Sequence, residues 1–133
     1  MSGSKVLVAD DEAHILAIVS MKLRNAGFDV ITAVDGEEAM ELVVAERPDL
    51  LITDNQMPYL TGLELCRKLR QSGLAPNLPV IMLTARGHDL DRADLAAAGI
   101  TDVLAKPFSP REVLQKVAQL LSQKESTVTE LTQ

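Results

Sequence analysis

Short, β-branched apolar runs alternate with longer segments of helical period along this chain, and few folds accept that alternation. Lys5–Ala9 is too short and too β-branched for a helix and reads as a buried strand. Ile15, Val19 and Leu23 then recur every four residues, with Leu16 and Ala26 alongside, on an amphipathic helix that Gly27 stops. Phe28 to Ala33 reads as a second strand. Asp35 followed by Glu38 reads as a capping box opening a helix that runs to about Glu46, ahead of Pro48. Leu50 to Thr53 is expected to be the third strand, with Asp54 at its carboxyl end. A second box, Thr61 and Glu64, leads into a helix with Leu65, Cys66 and Leu69 inward. After the loop Pro76 to Pro79, Val80 to Leu83 reads as the fourth strand, ending at Thr84. The segment His88 to Ala98 is expected to be helical and to stop at Gly99, with Ile100 to Leu104 as a fifth strand. Ser109-Pro110-Arg111-Glu112 combines an N-cap, a proline at the first helical position and the box glutamate. Val113, Val117 and Leu121, with Leu114 and Leu120, form the inward stripe of the last helix.

Five strands alternating with five helices imply an α/β fold, a parallel sheet covered on both faces with right-handed crossovers. The order 2-1-3-4-5 is one of the two common doubly wound orders, and ligands of such sheets bind beyond the carboxyl ends of the strands. Asp10-Asp11, Asp54, Thr84 and Lys106 all fall at that edge. The 133 residues fit one domain, read as residues 1–122 with a polar tail or linker start over 123–133. Hydrophobic residues are 47% of the chain and aromatics 2%, so aliphatic side chains must fill the core. A net charge of -6 without a run of Lys and Arg argues against a nucleic-acid-binding groove. One cysteine permits no internal disulfide. No signal-peptide core precedes the first strand, and no apolar run nears the roughly 20 residues of a membrane helix. The expectation is a soluble cytoplasmic protein.

Each acid by itself has an ordinary reading: Asp10 and Asp11 can cap the helix that follows, and Asp54 can simply end a strand. Together they differ. The first and third strands are neighbours in this order, about 4.8 Å apart, so three carboxylates converge. Like charges that close raise one another's pKa unless a cation compensates, and carboxylate oxygens suit Mg²⁺. Lys106, ahead of Pro107, is directed to the same edge and can pair with Asp54. Thr84 is expected to turn its hydroxyl there, and the small Ala85 leaves room for an attached group. A carboxylate nucleophile, a metal, a lysine and a hydroxyl are the parts phosphoryl transfer needs, because its catalysis is mostly positioning and charge neutralisation.

These residues resemble the receiver domain of bacterial two-component response regulators. The matching segments are Val6-Leu7-Val8-Ala9-Asp10-Asp11 with Glu12, Asp54-Asn55-Gln56-Met57-Pro58 with Gly62 and Glu64-Leu65, Thr84-Ala85-Arg86, and Lys106-Pro107-Phe108. They lie in order over about residues 5 to 121. The resemblance implies a flavodoxin-like fold in which Asp54 accepts phosphate from a sensor histidine kinase or a histidine phosphotransfer protein. It implies that Asp11, Asp54 and the backbone carbonyl of Gln56 bind Mg²⁺, with Asp10 assisting. Thr84 would move toward the phosphoryl group and Lys106 would contact it. Gln56 and Arg86 sit where the family tunes dephosphorylation, and His14, Ile15 and Ile18 fall in its kinase-docking region. Output would pass to a downstream protein target or a fused effector domain, and the face of the fourth helix, fifth strand and fifth helix is where a homodimer would form. One departure stands out: the family usually has an aromatic residue three positions before the lysine, and here Val103 occupies it. The chain would be a stand-alone receiver or a piece of a longer regulator.

A phosphatase of the haloacid dehalogenase type also uses an aspartate nucleophile, Mg²⁺, a threonine and a lysine. Its acids follow an Asp-x-Asp spacing after the first strand, which Asp10-Asp11 lacks. A flavin-binding protein would be repelled by those acids, and an interaction module that takes no phosphate would have no use for the whole set. Cys66 reads as core filler, His14 and His88 share no metal-like spacing, and Tyr59 reads as loop surface.

Overall fold

The computed structural model describes residues 3–85 and 90–132. The chain order is β1 (Lys5–Ala9), α1 (Ala13–Asn25), β2 (Asp29–Ala33), α2 (Gly36–Glu46), β3 (Leu50–Asp54), α3 (Gly62–Gln71), β4 (Val80–Thr84), α4 (Arg92–Ala97), β5 (Asp102–Ala105) and α5 (Pro110–Thr132). The strands form one parallel sheet in the order β2-β1-β3-β4-β5. That is the expected doubly wound topology, with its switch point between β1 and β3.

Strand alternation divides the core into two layers. Val6, Val8, Ile52, Ile81 and Leu83 point to one face and pack with Leu16, Val19 and Leu23 of α1 and Val113, Val117 and Leu121 of α5. Leu7, Ala9, Leu51 and Val80 point to the other and pack with Val43 of α2 and Leu65, Cys66 and Leu69 of α3. β1, β3 and β4 are the interior strands, and their apolar side chains are fully buried. Each buried Val, Leu, Ile or Met among them contributes roughly 1.5–3 kcal/mol by leaving water.

Caps set most helix starts. Thr61 and Glu64 exchange both bonds of the capping box, Thr61 Oγ1 accepting from the Glu64 N–H at 3.1 Å and Glu64 from the Thr61 N–H at 2.9 Å. Ser109 and Glu112 do the same at 3.2 Å each. At α2, Asp35 accepts from the Glu38 N–H at 2.8 Å, but Glu38 reaches back to Val34 rather than Asp35, so the box is shifted one residue upstream on that side. Gly27 holds φ +96 past the end of α1, while Ala26, expected inward, is exposed.

Three boundaries depart from the sequence reading by more than one residue. α4 begins at Arg92, not near His88, because the Asp91 carboxylate accepts from the Ala93 N–H at 2.7 Å and caps the helix there. The expected helical residues His88 and Asp89 lie outside the described residues. β5 begins at Asp102, since Thr101 makes the last turn contacts instead: its N–H donates to Val80 O at 2.9 Å and its hydroxyl accepts from the Val80 N–H at 3.0 Å. α5 continues to Thr132, so the polar segment after Ser122 is helical in its backbone; no glycine or proline follows Pro110 to stop it. Among the described residues no helix is long and apolar enough to cross a membrane.

Candidate functional site

The register of the sheet assembles the site. Val6 pairs with Leu50 and Val8 with Ile52, so one step further Asp10 stands beside Asp54, both continuing the series that faces α1 and α5. β5 contributes from the far side: Leu104 lies on that same face, and two residues on, Lys106 turns toward the acids. Lys106 Nζ lies 3.3 Å from Asp10 Oδ2, 3.1 Å from Glu12 Oε1 and 3.5 Å from Asp54 Oδ1. The Lys106–Pro107 peptide is cis.

Asp10 is 0% exposed and Asp54 4%, so one ammonium answers to two buried carboxylates and a third, exposed one. Burial and the neighbouring Asp10 charge push the Asp54 carboxyl from its ordinary 3.8 up to about 6, against the pull of Lys106 and with Asp11 adding to the rise. Burial likewise raises Asp10, although the Glu12 N–H donates to its Oδ1 at 2.9 Å. Burial alone would lower Lys106, but the hydrogen bond to Glu12 and the charges of Asp10 and Asp54 outweigh it and raise its pKa. Oxygens of Asp10, Glu12 and Asp54 lie within 4.8 Å of one another. An oxygen-only, over-charged donor set of this kind fits a hard divalent cation.

The other expected residues are placed differently. Asp11 and Gln56 are exposed; Asp11 acts on Asp54 through its charge. Thr84 is buried at the end of β4, in the alternate series of Val80 and Met82, and its hydroxyl donates to Ala85 O at 3.5 Å. The described contacts therefore join Asp10, Glu12, Asp54 and Lys106 and leave Thr84 beside them. Arg86 lies outside the described residues. Two contributors carried no assigned role in the sequence reading. Glu12 holds Lys106, and its signal was its place directly after the acid pair. Asn55 anchors the loop after Asp54: its side chain accepts from the Leu63 N–H at 3.1 Å and its carbonyl from the Gly62 N–H at 2.9 Å. That loop closes so tightly that a Cβ on Gly62 would lie 2.5 Å from Asp54 O, so only glycine fits there.

Beside Lys106, the start of α1 and the β5–α5 loop enclose an open groove lined by Ile15, Ile18, Phe108 and Pro110, with Glu12 and His14 at its rim. Two further readings of single residues hold. Cys66 is fully buried, which pushes its thiol up to about 12, and Tyr59 is 74% exposed.

Comparison with known proteins agrees with this geometry. The profile of the response regulator receiver domain matches residues 6–118. The chain is 43% identical over 123 residues to the alkaline phosphatase synthesis transcriptional regulatory protein PhoP of Bacillus subtilis, covering 92% of this chain and 50% of that one. It is 35% identical to the phosphate regulon transcriptional regulatory protein PhoB of Pseudomonas aeruginosa, covering 91% and 53%. It thus spans about half the length of the curated relatives it matches. Among solved structures, the chemotaxis response regulator CheY4 of Vibrio cholerae superposes with a TM-score of 0.81 at 35% identity, covering 88% of this chain and 98% of that one. The receiver domain of the Francisella response regulator 1452 gives 0.83 at 35% identity, covering 92% and 99%. With the doubly wound sheet and the acid–lysine cluster at its carboxyl edge, these matches place the chain in the receiver domain family of two-component response regulators.

Proposed function

We propose that Asp54 is the phosphoacceptor of this domain, taking a phosphoryl group from a phosphohistidine of a sensor histidine kinase or a histidine phosphotransfer protein. The observation that carries this reading is the buried Asp54 carboxylate held beside Asp10 and within 3.5 Å of the Lys106 ammonium. In the transfer, an Asp54 oxygen forms the new O–P bond as the donor's P–N bond breaks, the electron pair returning to the imidazole nitrogen. Lys106 already lies close enough to follow a phosphoryl oxygen as charge builds on it. Asp10, Asp11, Asp54 and the Gln56 carbonyl are the groups that would hold Mg²⁺, with Glu12 adding an oxygen. Bound there, the ion neutralises charge on the transferring group. The Thr84 hydroxyl, freed from its long bond to Ala85, would turn toward the phosphoryl group, and Val103 would follow without an aromatic ring to reorient. The domain assists its own phosphorylation and dephosphorylation, the latter tuned by Gln56 and Arg86.

The kinase or phosphotransfer protein docks on the groove of Ile15, Ile18 and Phe108, which opens beside Lys106. Output passes to a downstream protein or a fused effector domain in the cytoplasm, and the surface of α4, β5 and α5 is the candidate homodimer face, where added charge would act.

With Mg²⁺ and acetyl phosphate, intact-mass analysis is expected to show one added phosphoryl group, labile to acid and base, and Asp54→Asn is expected to abolish it. Equal labelling of the Asp54→Asn variant would overturn the assignment. Ile18→Arg should slow transfer from a histidine donor while leaving acetyl phosphate labelling intact.

A further inference from the structure

α4 is a helix of six residues, none of them buried, followed directly by the buried Ala98. Its neighbour α3 buries Leu65, Cys66 and Leu69. Apolar burial therefore holds α3 in place and does little for α4. The attachment of α4 is polar, and it is concentrated at one end. Arg70 of α3 donates from Nε to Ala98 O at 3.1 Å and from Nη2 to Gly99 O at 2.8 Å, at the C-terminal end of α4. The same guanidinium donates to Leu78 O at 2.6 Å and to Ala75 O, in the α3–β4 loop. Four carbonyls from two segments thus meet one planar fork, which suits arginine's rigid set of five donors and exceeds what a lysine offers. Carbonyls at a helix C-terminus lack partners within the helix and carry its negative end, so a cation is the group they accept best.

Gly99 completes the arrangement. Its φ is +70, and a Cβ there would stand 2.5 Å from Arg70 Nε. The glycine both reverses the chain after α4 and admits the guanidinium. The N-terminal half of α4 has only the Arg67–Asp94 pair at 2.9 Å among the described residues, with side chains 40% and 50% exposed, and such pairs hold weakly.

We propose that Arg70 and Gly99 form the fixed pivot of α4, a clamp that sets how readily this helix opens and about which end it reorients. Because α4 is the helix that follows Thr84 and Ala85 in the chain, rearrangement at the site reaches it from its loose N-terminal side while the clamp holds the other. That signalling role rests on the phosphoacceptor reading; the clamp itself rests on the contacts above.

The test is amide hydrogen exchange on the intact chain under native conditions, without phosphodonor. In Arg70→Met, the amides of Leu95, Ala98 and Ile100, which bond Asp91 O, Asp94 O and Leu95 O at 3.0 Å, are expected to exchange about tenfold faster or more, with β1, β3 and α5 unchanged. Arg70→Lys should recover part of the protection, and Gly99→Ala should reproduce the loss from the other partner. Unchanged exchange in α4, or a uniform rise across every element, overturns the clamp. Since no phosphoryl group is involved, a failure of Asp54 to accept one leaves this outcome readable. Should Arg70→Met not fold, Arg70→Lys and Gly99→Ala decide the matter by the same pattern.

Discussion

At the amino end of the sheet, Lys5 pairs with Glu46 at 3.1 Å and its backbone N–H donates to Asp49 at 2.8 Å. At the carboxyl end, Lys106 is the one cation, among the described residues, set before Asp10, Glu12 and Asp54. The first arrangement is balanced and partly solvated, with side chains 29% and 42% exposed, so water and salt dampen it. The second is overloaded with negative charge, and two of its three carboxylates, Asp10 and Asp54, are buried. Both ends terminate the same strands, so position in the fold does not explain the difference. The carboxyl end holds charges that folding alone would not favour, and on the proposed reading a cation and a phosphoryl group make use of them.

Removing that cation should break this contrast most sharply. Lys106→Met leaves Asp10 and Asp54 buried without their counter-charge and is expected to destabilise the domain by about 3 kcal/mol at pH 7.5 in urea unfolding. A variant as stable as the parent would show that the acids are already neutral.

Removing an acid should act in the opposite direction. The folded state holds the Asp54 proton up to about pH 6, against 3.8 ordinarily, so that favourable contribution is complete below about pH 4. It is lost as pH rises through about 6, leaving ionised Asp54 a burden at neutral pH. Asp54→Asn should therefore stabilise the metal-free protein by about 2 kcal/mol at pH 7.5 and by little at pH 4. Urea titrations at the two pH values measure this; a gain that is larger at pH 4 would reverse the assigned sign.

Supplying the cation should relieve the same strain reversibly. On the proposed reading, Mg²⁺ at ten times its dissociation constant adds about 1.4 kcal/mol, visible as a raised Tm, and Asp11→Ala should remove most of that gain. No shift at millimolar Mg²⁺ would count against a metal at this edge. The smallest effect belongs to the amino end. Glu46→Gln should change stability by less than about 1 kcal/mol, and that little should fade in high salt.

Much of this was legible in the residues. β1 and β3 are short apolar runs that no other element accommodates, and the capping boxes of α3 and α5 are local chemistry that two residues three positions apart specify. The convergence of Asp10 and Asp54 followed from strand order alone. What escaped depends on contacts between distant segments. Lys106 is readable as a partner of Asp54, but its bond to Glu12, 94 residues back, has no signal beyond Glu12's place after the acid pair. Arg70, four residues after Cys66, shares the inward side of α3 and is half-buried there; its partners are backbone carbonyls, which every residue carries and no sequence distinguishes. The start of α4 was misplaced for a related reason: Asp89, Asp91 and Asp94 are all acceptable caps by type, and only the geometry at Asp91 selects one.

The scarcity of aromatic side chains has a practical side. With no tryptophan in the chain and a single tyrosine, Tyr59, the emission excited above the phenylalanine absorption band comes from one place. That place is the loop leaving Asp54, where Tyr59 sits exposed with φ +71, two residues before the cap of α3. The molecule thus carries its own optical probe five residues from the proposed chemistry, and emission or anisotropy at that ring can follow the β3–α3 loop in real time without any attached dye.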